Sequence, residues 1–333
     1  MGLEAPGVEM SLPRVAILDD YQGLALTLAD WSGLDGRAEI VVFRDNLGPL
    51  DAAVEALAGF DMVCLMRERQ AVSRALIERL PRLKCIVTTG VWNAAIDLEA
   101  ASQRGIDVFG TSNGRGQRAT AELTWGLILA LARKIPAQDV GMRAGAWAGA
   151  PGRMLEGAVL GLVGFGTVAA MVAGYAHAFG MKVCATSRSR MARELPSHVK
   201  LMEPDRLFEA ADVLSLHVRL TAETRGLIGP RQLRRMKRDA LLVNTARGPL
   251  IDQAALIAAL QSGEIGGAAL DVFDQEPLPP GDPLREVGSN LILSPHMGYV
   301  TRETMADFHR QTRDVVAAWL NAGDPSSLAP RLA

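Results

Sequence analysis

Short runs of β-branched and apolar residues alternate with longer amphipathic stretches along most of the chain. Val15–Leu18, Ile40–Phe43, Met62–Leu65, Cys85–Val87 and Val108–Phe109 are apolar on consecutive positions, the pattern of strands buried on both faces. Leu50–Leu57 and Arg74–Leu80 between them have helical spacing. A polar, glycine-rich segment, Gly110–Gly116, closes this first α/β series. Ala119–Ala132 then reads as a helix with little charge on any face, which predicts burial between domains or against another subunit. A loose Gly/Ala/Trp segment, Gly141–Gly152, leads into a second series with strands at Ala158–Val163, Lys182–Ala185, Val213–Leu216, Leu241–Asn244, Ala268–Asp271 and Leu291–Leu293. Arg302–Leu320 is a final helix returning to the first unit. The alternation predicts an α/β protein with parallel sheets.

Composition narrows the function classes. Of 333 residues, 49% are hydrophobic and 22% charged, enough for two domains and too apolar for disorder. Lys plus Arg number 35 against 37 Asp plus Glu, a net charge of −2, which argues against nucleic acid or an anionic membrane as the main partner. Cys64, Cys85 and Cys184 lack metal or disulfide spacing, so no metal site is expected and the setting is read as reducing and cytoplasmic. No charge-free apolar stretch reaches the ~20 residues of a membrane span.

The sharpest local signal is Gly161-Leu162-Val163-Gly164-Phe165-Gly166-Thr167-Val168-Ala169, between an apolar strand and a helix read as Thr167–Phe179. Gly164 permits a tight turn, Gly166 lets backbone approach a pyrophosphate, and Thr167 and Val168 open the helix whose amides face the phosphates. The next strand ends at Ser187, where a carboxylate would select a free ribose 2′-hydroxyl. Serine with Arg188 and Arg190 beside it suits a 2′-phosphate instead, so NADP is favoured over NAD.

Four signatures follow: Asn244-Thr245-Ala246-Arg247-Gly248, Leu270-Asp271-Val272, Gln275-Glu276-Pro277 and Ser294-Pro295-His296. Each lies at or after the carboxyl end of an apolar run, where open α/β sheets bind ligands. Taken singly they read as a surface ion pair and a core histidine. An Arg, a Glu and a His on one edge can together bind a carboxylate, orient an imidazole and move a proton.

In their joint order, GxGxxA, LSLHV, NTARG, ALDVF, QEP and SPH resemble the D-isomer-specific 2-hydroxyacid dehydrogenase family, over a span that opens with Ala16-Ile17-Leu18-Asp19-Asp20-Tyr21. The resemblance implies two Rossmann-like domains. Residues 113–299 would form an NAD(P)-binding domain inserted into a flavodoxin-like substrate domain of residues 1–112 and 300–333. It also implies a homodimer formed through the nucleotide-binding domains, and a small 2-ketoacid or D-2-hydroxyacid as substrate. His296 would be the general acid and base, Glu276 its orienter, and Arg247 the grip on the substrate carboxylate. Asp271 would hold the nicotinamide carboxamide. Backbone amides of Thr89, Gly90 and Val91 would hold the substrate carboxylate, with Trp92 and Arg67-Glu68-Arg69 shaping the pocket. Thr245, and His217 at the end of LSLHV, count with the cofactor-binding residues; His177, His198 and His309 are read as structural or solvated. Glu276 argues against relatives that pair the histidine with glutamine, such as formate dehydrogenases. A nucleotide-sensing corepressor on the same fold is the alternative to an enzyme.

Overall fold

The computed structural model describes residues 12–147, 149–187, 195–321 and 325–332. It divides into two compact units, one from the chain through Arg115 and again from Arg302, the other Gly116–Thr301.

Five parallel strands form the sheet of the first unit: β1 (Arg14–Ile17), β2 (Glu39–Val42), β3 (Met62–Leu65), β4 (Cys85–Thr88) and β5 (Asp107–Gly110), in the order β2-β1-β3-β4-β5. Helices α1 (Leu50–Leu57), α2 (Arg74–Glu78) and α3 (Leu98–Gln103) lie between them in sequence. Both faces of the sheet are buried, which explains the unbroken apolar runs. Ala16 and Leu18 pack on one face with Leu57, Leu76, Ile77 and Ala101 of the three helices. Val15 and Ile17 pack on the other with Val315 and Val316 from the far end of the chain. Ser73 and Asp97 cap α2 and α3, each accepting a backbone N–H at the third residue on.

The second unit opens with α4 (Gly116–Ala132) and α5 (Ile135–Arg143). Its seven strands are β6 (Val159–Val163), β7 (Lys182–Thr186), β8 (Val199–Leu201), β9 (Val213–Leu216), β10 (Leu241–Asn244), β11 (Gly267–Leu270) and β12 (Leu291–Leu293). They are parallel, in the order β12-β11-β10-β9-β6-β7-β8. One face carries α4 and α6 (Thr167–Ala178). The other carries α7 (Pro204–Ala210), α8 (Pro230–Arg235) and α9 (Gln253–Ser262). The last helix, α10 (Arg302–Leu320), belongs to the first unit.

Two expectations change. Helix α4 is covered by its own unit, packed on α6, β10, β11 and β12, and leaves Gln117, Arg118, Glu122 and Gly126 exposed. Its charged positions gather on one exposed stripe, together with Gly126, which has no side chain. The segment read as loose from Gly141 is helical as far as Arg143, where α5 ends. None of the α5 residues is buried, so apolar periodicity gives little signal there.

Candidate active site

In the second unit the carboxyl ends of the strands gather the polar groups. Gly164 follows β6 at φ +90°, and a Cβ there would lie 2.6 Å from Val218 Cγ1 and 2.7 Å from the His217 carbonyl oxygen. The left-handed backbone and the close approach both require glycine. Gly166 stands at the N-cap of α6 with no side chain capping the helix. The amides of Thr167 and Val168 therefore remain for an anion. Ala169 is fully buried against the sheet. This uncapped helix over a glycine turn fits a dinucleotide pyrophosphate.

Ser187 is half-buried just past β7; Arg188 and Arg190 lie outside the described residues. His217 rests beneath the turn, its Nε2 2.9 Å from Ser215 Oγ. Burial lowers its pKa to about 4, so the ring is neutral near pH 7.

After β10, the Asn244 side chain clips its own loop: Nδ2 donates to the Arg247 carbonyl at 2.8 Å and Oδ1 accepts from Ala246 N at 3.0 Å. The clip fixes the backbone that presents Thr245 and Arg247. Gly248 then presses onto the segment after β11, where a Cβ would fall 2.0 Å from the Phe273 carbonyl carbon. Phe273 N in turn donates to Glu276 Oε1 at 2.8 Å. This close contact ties the arginine loop to the glutamate loop. Gly248→Ala must push the two backbones apart. The expected cost is about 1–3 kcal/mol, read as a melting temperature several degrees lower with activity reduced; an unchanged melt would show that the contact relaxes freely.

Glu276 Oε2 lies 2.5 Å from His296 Nδ1. Burial by itself would raise the Glu276 carboxyl. The His296 hydrogen bond and charge, the Phe273 amide and the Arg247 guanidinium outweigh it and hold the pKa below its ordinary value of 4.5. The three residues thus form one electrostatic cluster. Because folding lowers the Glu276 pKa, its contribution to stability is complete above pH 4.5 and disappears as the pH falls through the lower folded value. Accordingly, the stability difference between the parent and Glu276→Gln should be largest near neutrality and shrink below pH 4.5. A neutral amide also holds the protonated ring less well, so the basic limb of the ketoacid-reduction profile should move to lower pH. Denaturant titrations and rate profiles across pH check both; superimposable curves would refute the pairing.

His296 sits at φ +54°, a left-handed conformation uncommon for a residue with a side chain. Asp271, 1% exposed, holds it there. Its Oδ1 accepts from Ser294 Oγ at 2.6 Å and Met297 N at 2.7 Å, and Oδ2 from Gly298 N at 2.8 Å. Burial still leaves the Asp271 carboxyl above its ordinary value against those donors and the His296 charge. The Tyr299 ring meets the imidazole edge-on, with centroids 5.7 Å apart.

In the first unit, the loop after β4 differs from expectation. Thr89 N donates to the Leu65 carbonyl at 3.1 Å and Gly90 N to Thr111 Oγ1 at 3.0 Å, both within the unit. Among the described residues, Val91's is the one of the three amides expected to face a carboxylate that shows no hydrogen bond within its own unit. The strand ladder and the Thr111 hydroxyl compete for the other two. Gly90, at φ +93°, lies under the Arg67 guanidinium; a Cβ there would be 1.7 Å from Arg67 Nη1. That nitrogen also lies 3.3 Å from the Thr89 carbonyl and 3.2 Å from Asn113 Oδ1. The sequence marks Arg67 only as a pocket neighbour, since the contact joins residues far apart in the chain.

Among the described residues, no cluster of three His, Cys, Asp or Glu side chains could hold a metal, and no helix is long and apolar enough to cross a membrane.

A glycine turn over a helix N-terminus, on a doubly wound sheet whose other strand ends carry Arg, Glu and His, defines a nicotinamide-dependent oxidoreductase. The family model described as D-isomer specific 2-hydroxyacid dehydrogenase, NAD binding domain, matches residues 125–298. A glyoxylate reductase of Aeropyrum pernix is 39% identical over 268 residues, 77% of this chain and 79% of that protein. A hydroxypyruvate reductase of Thermotoga maritima is 38% identical over 246 residues, 72% of this chain and 79% of that protein. The crystal structure of a phosphoglycerate oxidoreductase from Vibrio cholerae superposes with a TM-score of 0.86 at 32% identity, covering 94% of this chain and 100% of that one. The chain belongs to the D-isomer-specific 2-hydroxyacid dehydrogenase family. It is an NAD(P)-dependent oxidoreductase of 2-ketoacids and D-2-hydroxyacids, and the enzyme names of its relatives do not favour the corepressor alternative.

Proposed function

We propose that the chain reduces a small 2-ketoacid of the glyoxylate or hydroxypyruvate type to its D-2-hydroxyacid. The observation that carries this reading is the Arg247–Glu276–His296 cluster, with His296 held in a left-handed backbone by Asp271. When bound, the nicotinamide supplies the hydride. His296 gives its proton to the carbonyl oxygen, Glu276 holds the protonated ring, and Arg247 binds the carboxylate and polarises the carbonyl. In the first unit, the amide of Val91 and the Arg67 guanidinium give the 88–93 loop an affinity for a carboxylate. Names of the curated relatives support the small substrates.

The nucleotide is held by Gly164, Gly166, Thr167 and Val168, with NADPH used at least as well as NADH because Ser187 puts no carboxylate at the ribose. The reading includes a homodimer formed through the nucleotide-binding unit, supported by Ile135, Val140, Met142, Trp147 and Met154. These apolar side chains are exposed on α5 and the segment after it, Trp147 to 83%. A cytoplasmic setting accords with three free, buried thiols.

A panel of 2-ketoacids assayed with both reduced cofactors tests the function, and the smallest acids should give the highest kcat/KM. Turnover with none of them would end the reading. Ser187→Asp should shift the kcat/KM ratio toward NADH by roughly tenfold or more; an unmoved ratio would show that Ser187 does not face the ribose.

A further inference from the structure

Tyr299 stands three residues past His296 and is 7% exposed, a large aromatic buried beside the imidazole. Backbone bonds fix the turn between them. Val300 N donates to the Met297 carbonyl at 2.9 Å and Thr301 N to the Tyr299 carbonyl at 3.0 Å, while Asp271 accepts from Met297 N and Gly298 N. The turn is also tight: a Cβ on Gly298 would lie 3.1 Å from Asp271 Oδ2 and 3.3 Å from Thr120 Cγ2. So held, it returns the Tyr299 ring onto the His296 ring, with centroids 5.7 Å apart and planes at 69°. Such an edge-to-face pair is a favourable arrangement of two aromatic rings.

That contact supplies what Glu276 cannot. Asp271 fixes the backbone of the His296 loop, and Glu276 Oε2 holds Nδ1 at 2.5 Å. A hydrogen bond at one edge of a ring still leaves concerted rotation about the two side-chain torsions, with the flexible Glu276 side chain following. That rotation carries Nε2, the nitrogen left for a substrate, away from its place. We propose that the Tyr299 ring is the second restraint on the imidazole, blocking this rotation and keeping Nε2 where the proton is delivered. The proposal rests on the reading of His296 as the general acid. Tyr299 is a positioning residue, and it acts through His296.

A double-mutant cycle separates this role from simple filling of the core. Ketoacid reduction is measured for the parent, Tyr299→Leu, His296→Ala and the double variant, with Tyr299→Phe as the conservative control. Tyr299→Leu should lower kcat roughly two- to tenfold, the coupling of one aromatic pair, and leave KM and dinucleotide affinity near the parent's. Tyr299→Phe keeps the ring and should restore the rate. In the His296→Ala background Tyr299→Leu should cost nothing further, because the group it positions is gone. An equal loss in both backgrounds is what a structural role gives, and it would overturn the proposal. So would a phenylalanine variant as slow as the leucine one. Should Tyr299→Leu fail to fold, Tyr299→Met, which adapts to irregular space without a ring, carries the same cycle. If His296→Ala itself keeps the parental kcat, the general-acid reading falls and the proposal with it, an outcome distinct from an equal loss in both backgrounds.

Discussion

His296→Ala should lower kcat for ketoacid reduction by about 10²–10⁴-fold, the range of a positioned general acid. Dinucleotide affinity should stay near that of the parent. The size follows from how much structure converges on this side chain. A left-handed backbone, three hydrogen bonds to Asp271 around it and a 2.5 Å contact with Glu276 all hold one imidazole in one place. Left-handed backbone at a residue with a Cβ costs on the order of 1–3 kcal/mol and persists only where surroundings over-determine it. Alanine leaves the backbone and the Asp271 contacts in place, so the variant should melt close to the parent. Steady-state kinetics with cofactor titration decide the matter. A folded variant with near-parental kcat would take His296 out of the proton transfer.

Arg247→Gln should cost about 10²–10³-fold in kcat/KM, the size seen when one preorganised donor to developing negative charge is lost. The loss should divide between KM, through the carboxylate, and kcat, through the carbonyl. Two structural facts keep the variant interpretable. The Arg247 backbone is held by Asn244 through its carbonyl, which glutamine retains. The Gly248 contact that joins the two loops is likewise backbone only. Glu276 loses one of the charges that lower its pKa, but its bonds to His296 and Phe273 remain. A variant as active as the parent would reduce Arg247 to a partner of Glu276.

The strands were legible wherever an apolar run was long enough to be buried on both faces, as at Met62–Leu65 or Leu241–Asn244. Strand β8 has only three residues and one buried position, too little for a period to appear. Helix α5 buries nothing and so follows no pattern. The Arg247, Glu276 and His296 types could be read because each follows a strand end. Their hydrogen-bond partners could not. Asp271 serving the histidine loop and Gly248 under Phe273 are both contacts between residues 20 or more positions apart. Backbone competition was equally hidden: nothing in Thr89-Gly90-Val91 tells that Leu65 and Thr111 engage the first two amides.

The engagement of those two amides has a consequence for the thermodynamics of substrate capture. A flexible anion-binding loop must be ordered when its ligand arrives, at roughly 1–2 kcal/mol of lost backbone freedom per residue. Here Thr89 continues the hydrogen bonding of β4, Gly90 is pinned by Thr111, and Asn93 is tied to Thr88 and the Arg67 carbonyl. Folding has therefore already removed that freedom before any ketoacid is present. If the acid is captured at the Val91 amide, as proposed, its association carries little conformational entropy loss from the loop, and affinity for so small an acid can come from few contacts.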